Sequence, residues 1–207
     1  MSKPQTPRVH LLTTHPDEES LTMSVVRRIQ DELEAEGVEV SSENIATSGF
    51  SVEFSMDDLK SYRTFLDGDH AREVPADVAA QQRIIEASDV LVIVFPVYWW
   101  SFPVQLKGWV DRVLTGGWSW GIKRSGRAES ALARLRVHLV PLAGAEADFF
   151  EDEGYRRAIE TQIEKGVFDY THTGHAEWTW MWNAADRPIE TLDRAAAVGK
   201  TIAAELS

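Results

Sequence analysis

The chain of 207 residues contains no cysteine. This absence excludes disulfides, thiolate nucleophiles and cysteine-ligated metal or iron–sulfur sites. The sequence also lacks a run of about 18 apolar residues, so we expect no insertion into a membrane. Residues 1–7 have no apolar core of the kind that a secretion signal needs, and we therefore expect a cytoplasmic protein.

Basic residues are scarce. The 21 lysines and arginines face 33 aspartates and glutamates, which gives a formal net charge of −12. Because nucleic-acid binding needs a basic face to neutralise phosphates, we expect no nucleic-acid partner. The densest basic patch is the segment 123–127, which we interpret as a solvated loop, with contact to a cofactor phosphate as the alternative.

Two glycine-rich nucleotide motifs are also missing. The sequence holds neither Gly-x-Gly-x-x-Gly nor Gly-x-x-x-x-Gly-Lys-Ser/Thr, which disfavours dinucleotide-fold dehydrogenases and P-loop NTPases. No internal repeat, linker or low-complexity segment is evident. At this length the chain predicts a single domain over residues 1–207.

What is present is an alternation of apolar strands with amphipathic helices. This alternation predicts a doubly wound α/β fold with a five-stranded parallel sheet and helices on both faces. The continuously apolar run 90–95 is typical of a strand covered on both faces. The predicted strands are 8–14, 90–95, 137–142 and 177–182, with a further strand that begins at 38–40. The predicted helices are 20–36, 56–66 within a long excursion at 46–75, 76–87, 102–114, 151–165, and a last one capped by Asp186.

In such a sheet, ligands bind outside the carboxyl ends of the strands, where three loops should meet. The first loop, 13–22, enters a helix N-terminus that favours an anion, and Ser20 and Thr22 add hydroxyl donors. The alternative is that Ser20 only caps the helix. The acidic residues at 17–19 would repel a phosphate unless they are turned away from it.

The second loop carries three aromatic side chains in succession, Tyr98, Trp99 and Trp100. Such a surface suits a planar ligand, since aromatic rings stack and bury a large apolar area. The alternative is an aromatic lid over the core. The third loop, Leu142 to Ala145, has small residues that allow a backbone to approach a ligand closely.

Other residues are weaker candidates. Trp118 and Trp120 lie in a loop and are predicted to wall a pocket, whereas Trp178, Trp180 and Trp182 share a strand face and are interpreted as core. Tyr155 is a candidate proton donor, with simple packing as the alternative. His172 and His175 have a spacing that a metal could use, but they lack a third ligand, so we expect no metal.

One segment of the sequence is highly specific, Phe-Pro-Val-Tyr-Trp-Trp-Ser-Phe-Pro at 95–103, followed by Leu-Lys-Gly-Trp-Val-Asp-Arg-Val at 106–113. Through this segment the chain resembles the NAD(P)H:quinone oxidoreductases of the flavodoxin-like fold. This group includes mammalian quinone reductase, the bacterial modulators of drug activity and the ancillary flavoproteins of potassium efflux. The segment 15–22 is similar to the family's flavin phosphate loop, and 116–121 to its substrate-side loop.

The resemblance implies the strand order 2-1-3-4-5, a homodimer and a non-covalently bound flavin. We expect FAD, because the long excursion at 46–75 could help to hold an adenine, and FMN is the alternative. It implies obligate transfer of two electrons from NAD(P)H, through the flavin, to a quinone or similar planar acceptor by a ping-pong mechanism. The implied flavin-binding residues are His15, Ser20, Leu21, Thr22, Pro96, Val97, Tyr98, Trp99, Trp100, Leu142, Ala143, Gly144 and Ala145. The implied substrate pocket includes Trp118, Trp120 and Phe150, partly across the dimer.

The sequence departs from the family in two places. The third loop is usually Thr-Thr-Gly-Gly, so two hydroxyls are missing here. The positions of the mammalian Tyr and His proton relay fall near Phe150 and Arg156, and Tyr155 is the candidate substitute. Two alternative functions remain open, a flavin-binding ancillary or regulatory subunit of a transporter such as a potassium-efflux system, and an electron-carrying flavodoxin.

Overall fold

A computed structural model describes residues 6–68, 73–121, 130–173 and 176–207. Five parallel strands form one sheet in the order β2-β1-β3-β4-β5, which confirms the predicted topology. The strands are β1 Arg8–Thr13, β2 Glu39–Asn44, β3 Val90–Pro96, β4 Arg136–Leu142 and β5 Ala176–Trp178. The helices are α1 Leu21–Ala35, α2 Met56–Leu66, α3 Ala76–Ala87, α4 Val104–Val113, α5 Ala147–Asp152, α6 Tyr155–Glu160 and α7 Pro188–Leu206, and a π-helical segment, Thr161–Asp169, continues α6.

Helices cover both faces of the sheet, and alternate residues of the central strand serve the two layers. In β3, Val90, Val92 and Val94 pack with buried residues of α1 and α7. Leu91, Ile93 and Phe95 pack with α3, α4 and the segment 150–168 on the other face. Every residue from 90 to 95 is buried, which explains the uninterrupted apolar run in the sequence.

The excursion after β2 is tied to α4 by one buried arginine. The side chain of Arg112 donates to Asp58 Oδ2 at 3.0 Å, to Asp77 Oδ2 at 2.5 Å and to the carbonyl of Ser51 at 2.6 Å. Gly108 permits the close approach, since a Cβ there would lie 2.3 Å from the carbonyl oxygen of Val52. Residues 51–58 of the excursion that favours FAD are therefore held against α4.

The predicted helix over 151–165 is wrong as a single element. Gly154 adopts a left-handed backbone conformation, φ 71°, and separates α5 from α6. Helical structure then runs on to Asp169, beyond the predicted end. Glycine reaches this conformation without a Cβ clash, so it ends a helix that periodicity alone would continue.

Two further boundaries differ from the predictions. The fifth strand covers only Ala176–Trp178, although Met181 still pairs with Leu142 in an isolated parallel bridge. Asp186 does not cap the last helix; the cap position is Arg187, which makes no side-chain cap hydrogen bond. Pro188 occupies the first turn, where its missing N–H would have no helical partner in any case.

Candidate active site

The ends of β1, β3 and β4 meet at one edge of the sheet, as the topology requires. Thr13 Oγ1 donates to the carbonyl of Val94 at 2.7 Å, which joins the ends of β1 and β3. The N–H of Val97 donates to the carbonyl of Leu142 at 2.9 Å, which joins the second and third loops. The structure therefore brings together the three predicted loops.

In the first loop, Ser20 is the N-cap of α1, and its Oγ accepts from the N–H of Met23 at 3.3 Å. The capping alternative is thus confirmed, but it leaves the hydroxyl proton of Ser20 able to donate to an anion. His15 lies at the entrance of the loop, and its Nδ1 accepts from the N–H of Asp17 at 3.1 Å. Leu21 and Thr22 form the first turn of α1, and Thr22 is buried.

Asn44, at the end of β2, holds the first loop in place. Its Oδ1 accepts from the N–H of His15 at 3.0 Å, and its Nδ2 donates to the carbonyl of the same residue at 2.9 Å. Nδ2 also donates to Glu18 Oε1 at 2.8 Å, and Thr47 donates to that oxygen at 3.0 Å. The carboxylate of Glu18 is therefore engaged on the β2 side of the loop.

Thr14, between β1 and this loop, has a buried Oγ1 without a hydrogen-bond partner among the described residues. A buried hydroxyl left unpaired costs about 1–3 kcal/mol, so its presence at a candidate anion site calls for a ligand. This orphaned hydroxyl, the cap of α1 and the available Ser20 proton fit the phosphate of a flavin. Sequence reasoning missed both Thr14 and Asn44 as contributors.

The aromatic loop is a tight turn with the two tryptophans at its tip. Trp99 and Trp100 have φ angles of 46° and 59°, and the N–H of Ser101 donates to the carbonyl of Tyr98 at 3.2 Å. Two successive positive φ angles in bulky residues are strained, and such strain is typical of functional sites. Ser101 Oγ donates to Gln162 Oε1 at 2.6 Å, which joins the turn to the π-helical segment.

The two tryptophans have different surroundings, so the alternative of an aromatic lid over the core holds for Trp100 and not for Trp99. Trp99 is 93% exposed, so it does not cover the core. Trp100 stacks on Tyr155 with ring centroids 3.8 Å apart and planes at 4°, and meets Phe150 edge-on at 5.4 Å. Tyr155 is thus packed as the alternative predicted, and its role as a proton donor stays a prediction.

The third loop presents an open backbone. The N–H of Ala143 donates to the carbonyl of Met181 at 2.9 Å, whereas the N–H groups of Gly144 and Ala145 donate to no acceptor within the described part of the chain. A Cβ built on Gly144 would meet nothing within 4 Å. Two free donors in an uncrowded loop suit the polar edge of a planar heterocycle.

The predicted pocket-wall residues are not all at this site within one chain. Trp118 donates from Nε1 to Glu86 Oε1 at 2.6 Å, and Trp120 donates to the carbonyl of Leu114 at 3.1 Å. Phe150 is buried beneath Trp100 rather than exposed. A role for the two tryptophans in a neighbouring subunit's pocket stays a prediction.

The core interpretation of the other tryptophans is confirmed for Trp180, which is 4% exposed, although it lies beyond the end of β5. Trp178 and Trp182 are partly buried and stack on either side of it, at 5.6 and 4.5 Å. His172 is described but His175 lies outside the described residues, as does the basic patch at 123–127. No helix in the described ranges is long and apolar enough to cross a membrane.

A large groove lies beside the three-loop edge rather than at it. It has a volume of about 680 Å³ and runs between α2, α4, the loop after α4 and the π-helical segment. Apolar and aromatic side chains dominate its lining, including Leu59, Tyr62, Val110, Trp120, Val167 and Tyr170. Gln162 belongs to this lining and also bonds Ser101, so the groove is continuous with the aromatic turn.

Comparison with known proteins agrees with this fold. A family model described as the flavodoxin-like fold matches residues 7–203. The chain therefore belongs to this family, in the group of the NAD(P)H:quinone oxidoreductases.

Two curated relatives match most of the chain. It is 26% identical over 179 residues to an uncharacterized NAD(P)H oxidoreductase of Escherichia coli, YcaK, covering 86% of this chain and 85% of that protein. It is 29% identical over 161 residues to ribosyldihydronicotinamide dehydrogenase [quinone] of Rattus norvegicus, covering 69% and 70%.

Two solved structures share the fold. The NAD(P)H:quinone oxidoreductase of Methanothermobacter marburgensis has a TM-score of 0.84 at 20% identity, with 96% of each chain covered. An FMN-dependent NADH-azoreductase of Bacillus anthracis, solved in complex with FMN, has a TM-score of 0.71 at 16% identity, with 97% of this chain and 99% of that one covered.

Proposed function

We propose that this protein is a flavin-dependent NAD(P)H oxidoreductase that delivers two electrons to a quinone or similar planar acceptor. The observation that carries the proposal is the meeting at one sheet edge of an aromatic turn and a helix start that favours an anion, with the orphaned Thr14 hydroxyl in the loop that leads into that helix. The names of the relatives, which include NAD(P)H oxidoreductases and a quinone-type dehydrogenase, support the same reaction class.

We propose FMN as the bound flavin. An FMN complex among the structural neighbours supports it, and residues 51–58 of the excursion that favoured FAD are held against α4. The N–H groups at the start of α1, with Ser20 and Thr14, would hold the phosphate. The N–H groups of Gly144 and Ala145 would hold the polar edge of the ring, and Trp99 and Trp100 would flank its apolar part.

When bound, the flavin supplies the hydride chemistry, accepting two electrons from the nicotinamide and passing them on. The chain's own contribution is orientation and exclusion of water. The aromatic turn offers one planar apolar surface, on which nicotinamide and acceptor would stack in turn. Because both ligands need the same place, the first must leave before the second binds, which is a ping-pong sequence.

We also propose a homodimer whose seam covers the groove between α2, α4 and the π-helical segment. Phe54, Tyr62 and Tyr170 line this groove and are 52%, 42% and 61% exposed in the single chain. Exposed apolar surface of this kind marks an interaction site. A second subunit seated there would lie near the aromatic turn, because Gln162, which lines the groove, is hydrogen-bonded to Ser101 of that turn. The loop of the second subunit that carries Trp118 and Trp120 would complete the pocket.

The proposal is tested by three measurements on the purified protein. The flavin is released and identified by mass, the acceptor kinetics are measured at several NADH and NADPH concentrations, and the mass in solution is determined. We expect FMN, parallel double-reciprocal lines and twice the chain mass. Intersecting lines would contradict the ping-pong sequence. Bound flavin without turnover of any quinone would instead favour the ancillary-subunit alternative, which rests only on the family resemblance.

A further inference from the structure

A cluster of three side chains lies at the opposite end of the sheet from the proposed flavin site. His138 is in β4, Glu177 in β5 and Glu205 near the end of α7. Their three nearest donor atoms all lie within 4.8 Å of one another, and the structure shows no other group of three or more such residues within the described ranges. Nothing in the proposed redox chemistry uses them.

The separations in this cluster are too long for direct hydrogen bonds. His138 Nε2 is 3.6 Å from Glu205 Oε2, and Nδ1 is 3.7 Å from Glu177 Oε2. An N–H···O hydrogen bond spans about 2.7–3.2 Å. Two ligand atoms bound to one Zn²⁺ at about 2.1 Å each can stand up to about 4.2 Å apart. The imidazole and Glu205 are therefore already spaced as ligands of one ion.

The third ligand, Glu177, has to move to share an ion with Glu205, because its Oε2 lies nearest to Nδ1, whereas Glu205 faces Nε2. The side chain of Glu177 is 48% exposed and that of Glu205 31%, whereas that of His138 is 7% exposed. A fixed imidazole with two adjustable carboxylates can contract around an ion. A cavity of about 290 Å³ beside His138 and Glu177, lined also by Thr179 and Thr201, provides access and room for a water ligand.

We propose that His138, Glu177 and Glu205 form a binding site for a divalent cation of the zinc type. One imidazole and two carboxylates with an open fourth position are a zinc donor set, whereas Mg²⁺ and Ca²⁺ prefer oxygen alone. The ion would join β4, the three-residue edge strand β5 and the last helix. Its role would be structural, and it is independent of the proposed oxidoreductase function.

Two neighbouring positive charges oppose the ion, and one of them provides a control. Arg136 Nη1 lies 3.5 Å from Glu205 Oε2 and shares that carboxylate. Arg194 lines the cavity and adds a second positive charge near the entrance. Replacing Arg136 by glutamine frees Glu205 and should tighten Zn²⁺ binding more than Mg²⁺ binding. A non-specific attraction of cations to the acidic surface would not favour zinc over magnesium in this way.

The test is a calorimetric titration of EDTA-treated protein with ZnCl₂ and, separately, MgCl₂. We expect one Zn²⁺ per chain, weak or undetectable Mg²⁺ binding, and a higher melting temperature with Zn²⁺. Glu177→Gln and Glu205→Gln should each weaken Zn²⁺ binding at least about tenfold, about 1.4 kcal/mol. Glu153→Gln, at an exposed glutamate outside the cluster, should leave it unchanged.

The two glutamate variants should fold, because both side chains are partly exposed and glutamine has nearly the same shape as glutamate. A loss of Zn²⁺ binding in them therefore reports on the ligands and not on unfolding. His138→Gln removes the buried ligand in the same way, and circular dichroism checks that this variant folds. Undetectable Zn²⁺ binding by the wild type would overturn the proposal. Equal Zn²⁺ affinity in the wild type and both glutamate variants would show an adventitious ion only and overturn it as well.

Discussion

Replacing Arg112 by methionine should destabilise this protein more than replacing any exposed arginine. The guanidinium is buried and donates to Asp58 and Asp77. The side chain of Asp58 is 4% exposed, so the substitution leaves a buried carboxylate without its cation. Removing one partner of a buried ion pair costs about 3–5 kcal/mol.

The assay is urea unfolding at neutral pH, followed by tryptophan fluorescence. Arg8→Met is the matched control, since Arg8 pairs with Glu39 at 3.1 Å while both side chains are well exposed. Exposed pairs contribute about 0.2–1 kcal/mol. We expect Arg112→Met to lose at least about 3 kcal/mol and the control less than about 1 kcal/mol. Equal losses in the two variants would refute the reasoning.

The acid limb of the same experiment checks the partners of Arg112. Burial raises the pKa of Asp58, but hydrogen bonds from Ser55 and Arg112 outweigh it, so the pKa lies below its usual range. The hydrogen bond from Arg112 also lowers the pKa of Asp77. The wild type should therefore lose this stabilisation as pH falls below about 4, and Arg112→Met should lose less over that range. An identical acid limb in both proteins would contradict the assignment.

Three further predictions follow from the site and the sheet. Asn44→Ala removes the hydrogen bonds that hold the first loop and should weaken FMN binding about tenfold in a fluorescence titration, about 1.4 kcal/mol. Thr47→Ala removes one contact to Glu18 and should weaken FMN binding less. Trp99→Ala should leave the urea midpoint unchanged, because that side chain is 93% exposed, and should release much of the flavin on dilution, from a loss of about 1–3 kcal/mol of apolar burial on the ring. Burial lowers the pKa of His10 to about 4, so the unfolded chain takes up a proton before the folded protein does as the pH falls. The free energy of unfolding should therefore drop by about 3 kcal/mol between about pH 6.5 and 4. His10→Gln should flatten that part of the plot of unfolding free energy against pH.

Each of these predictions has a result that contradicts it. Unchanged FMN affinity in Asn44→Ala would show that the loop is held by other contacts. Full flavin retention by Trp99→Ala after dilution would remove that ring from the site. A profile of His10→Gln with the wild-type slope between pH 6.5 and 4 would assign the pH dependence to another group.

The parallel α/β sheet and the meeting of the three loops were predictable because they follow from local patterns, whereas the strand order was implied by the family resemblance. The excursion helix α2 begins and ends where the sequence predicts, since Ser55 and Asp58 form a capping box at its start. The uninterrupted apolar run at 90–95 likewise marks the central strand. Parallel strands joined by helices then bring their carboxyl ends to one edge.

What could not be predicted depends on contacts between distant residues. Asn44 holds a loop 29 positions earlier in the chain, and the orphaned hydroxyl of Thr14 is a property of the folded surroundings. The directions of Trp118 and Trp120 are set by Glu86 and by the carbonyl of Leu114. Gly154 was visible in the sequence, but its left-handed conformation, which divides the predicted helix, was not.

The most direct test of the central claim is a pair of anaerobic half-reactions on protein reconstituted with FMN. We predict that the flavin's visible absorption bleaches on addition of one equivalent of NADH or NADPH and returns on addition of one equivalent of a quinone. Failure of the protein to bind FMN or FAD, or a bound flavin that neither nicotinamide bleaches, would contradict the account.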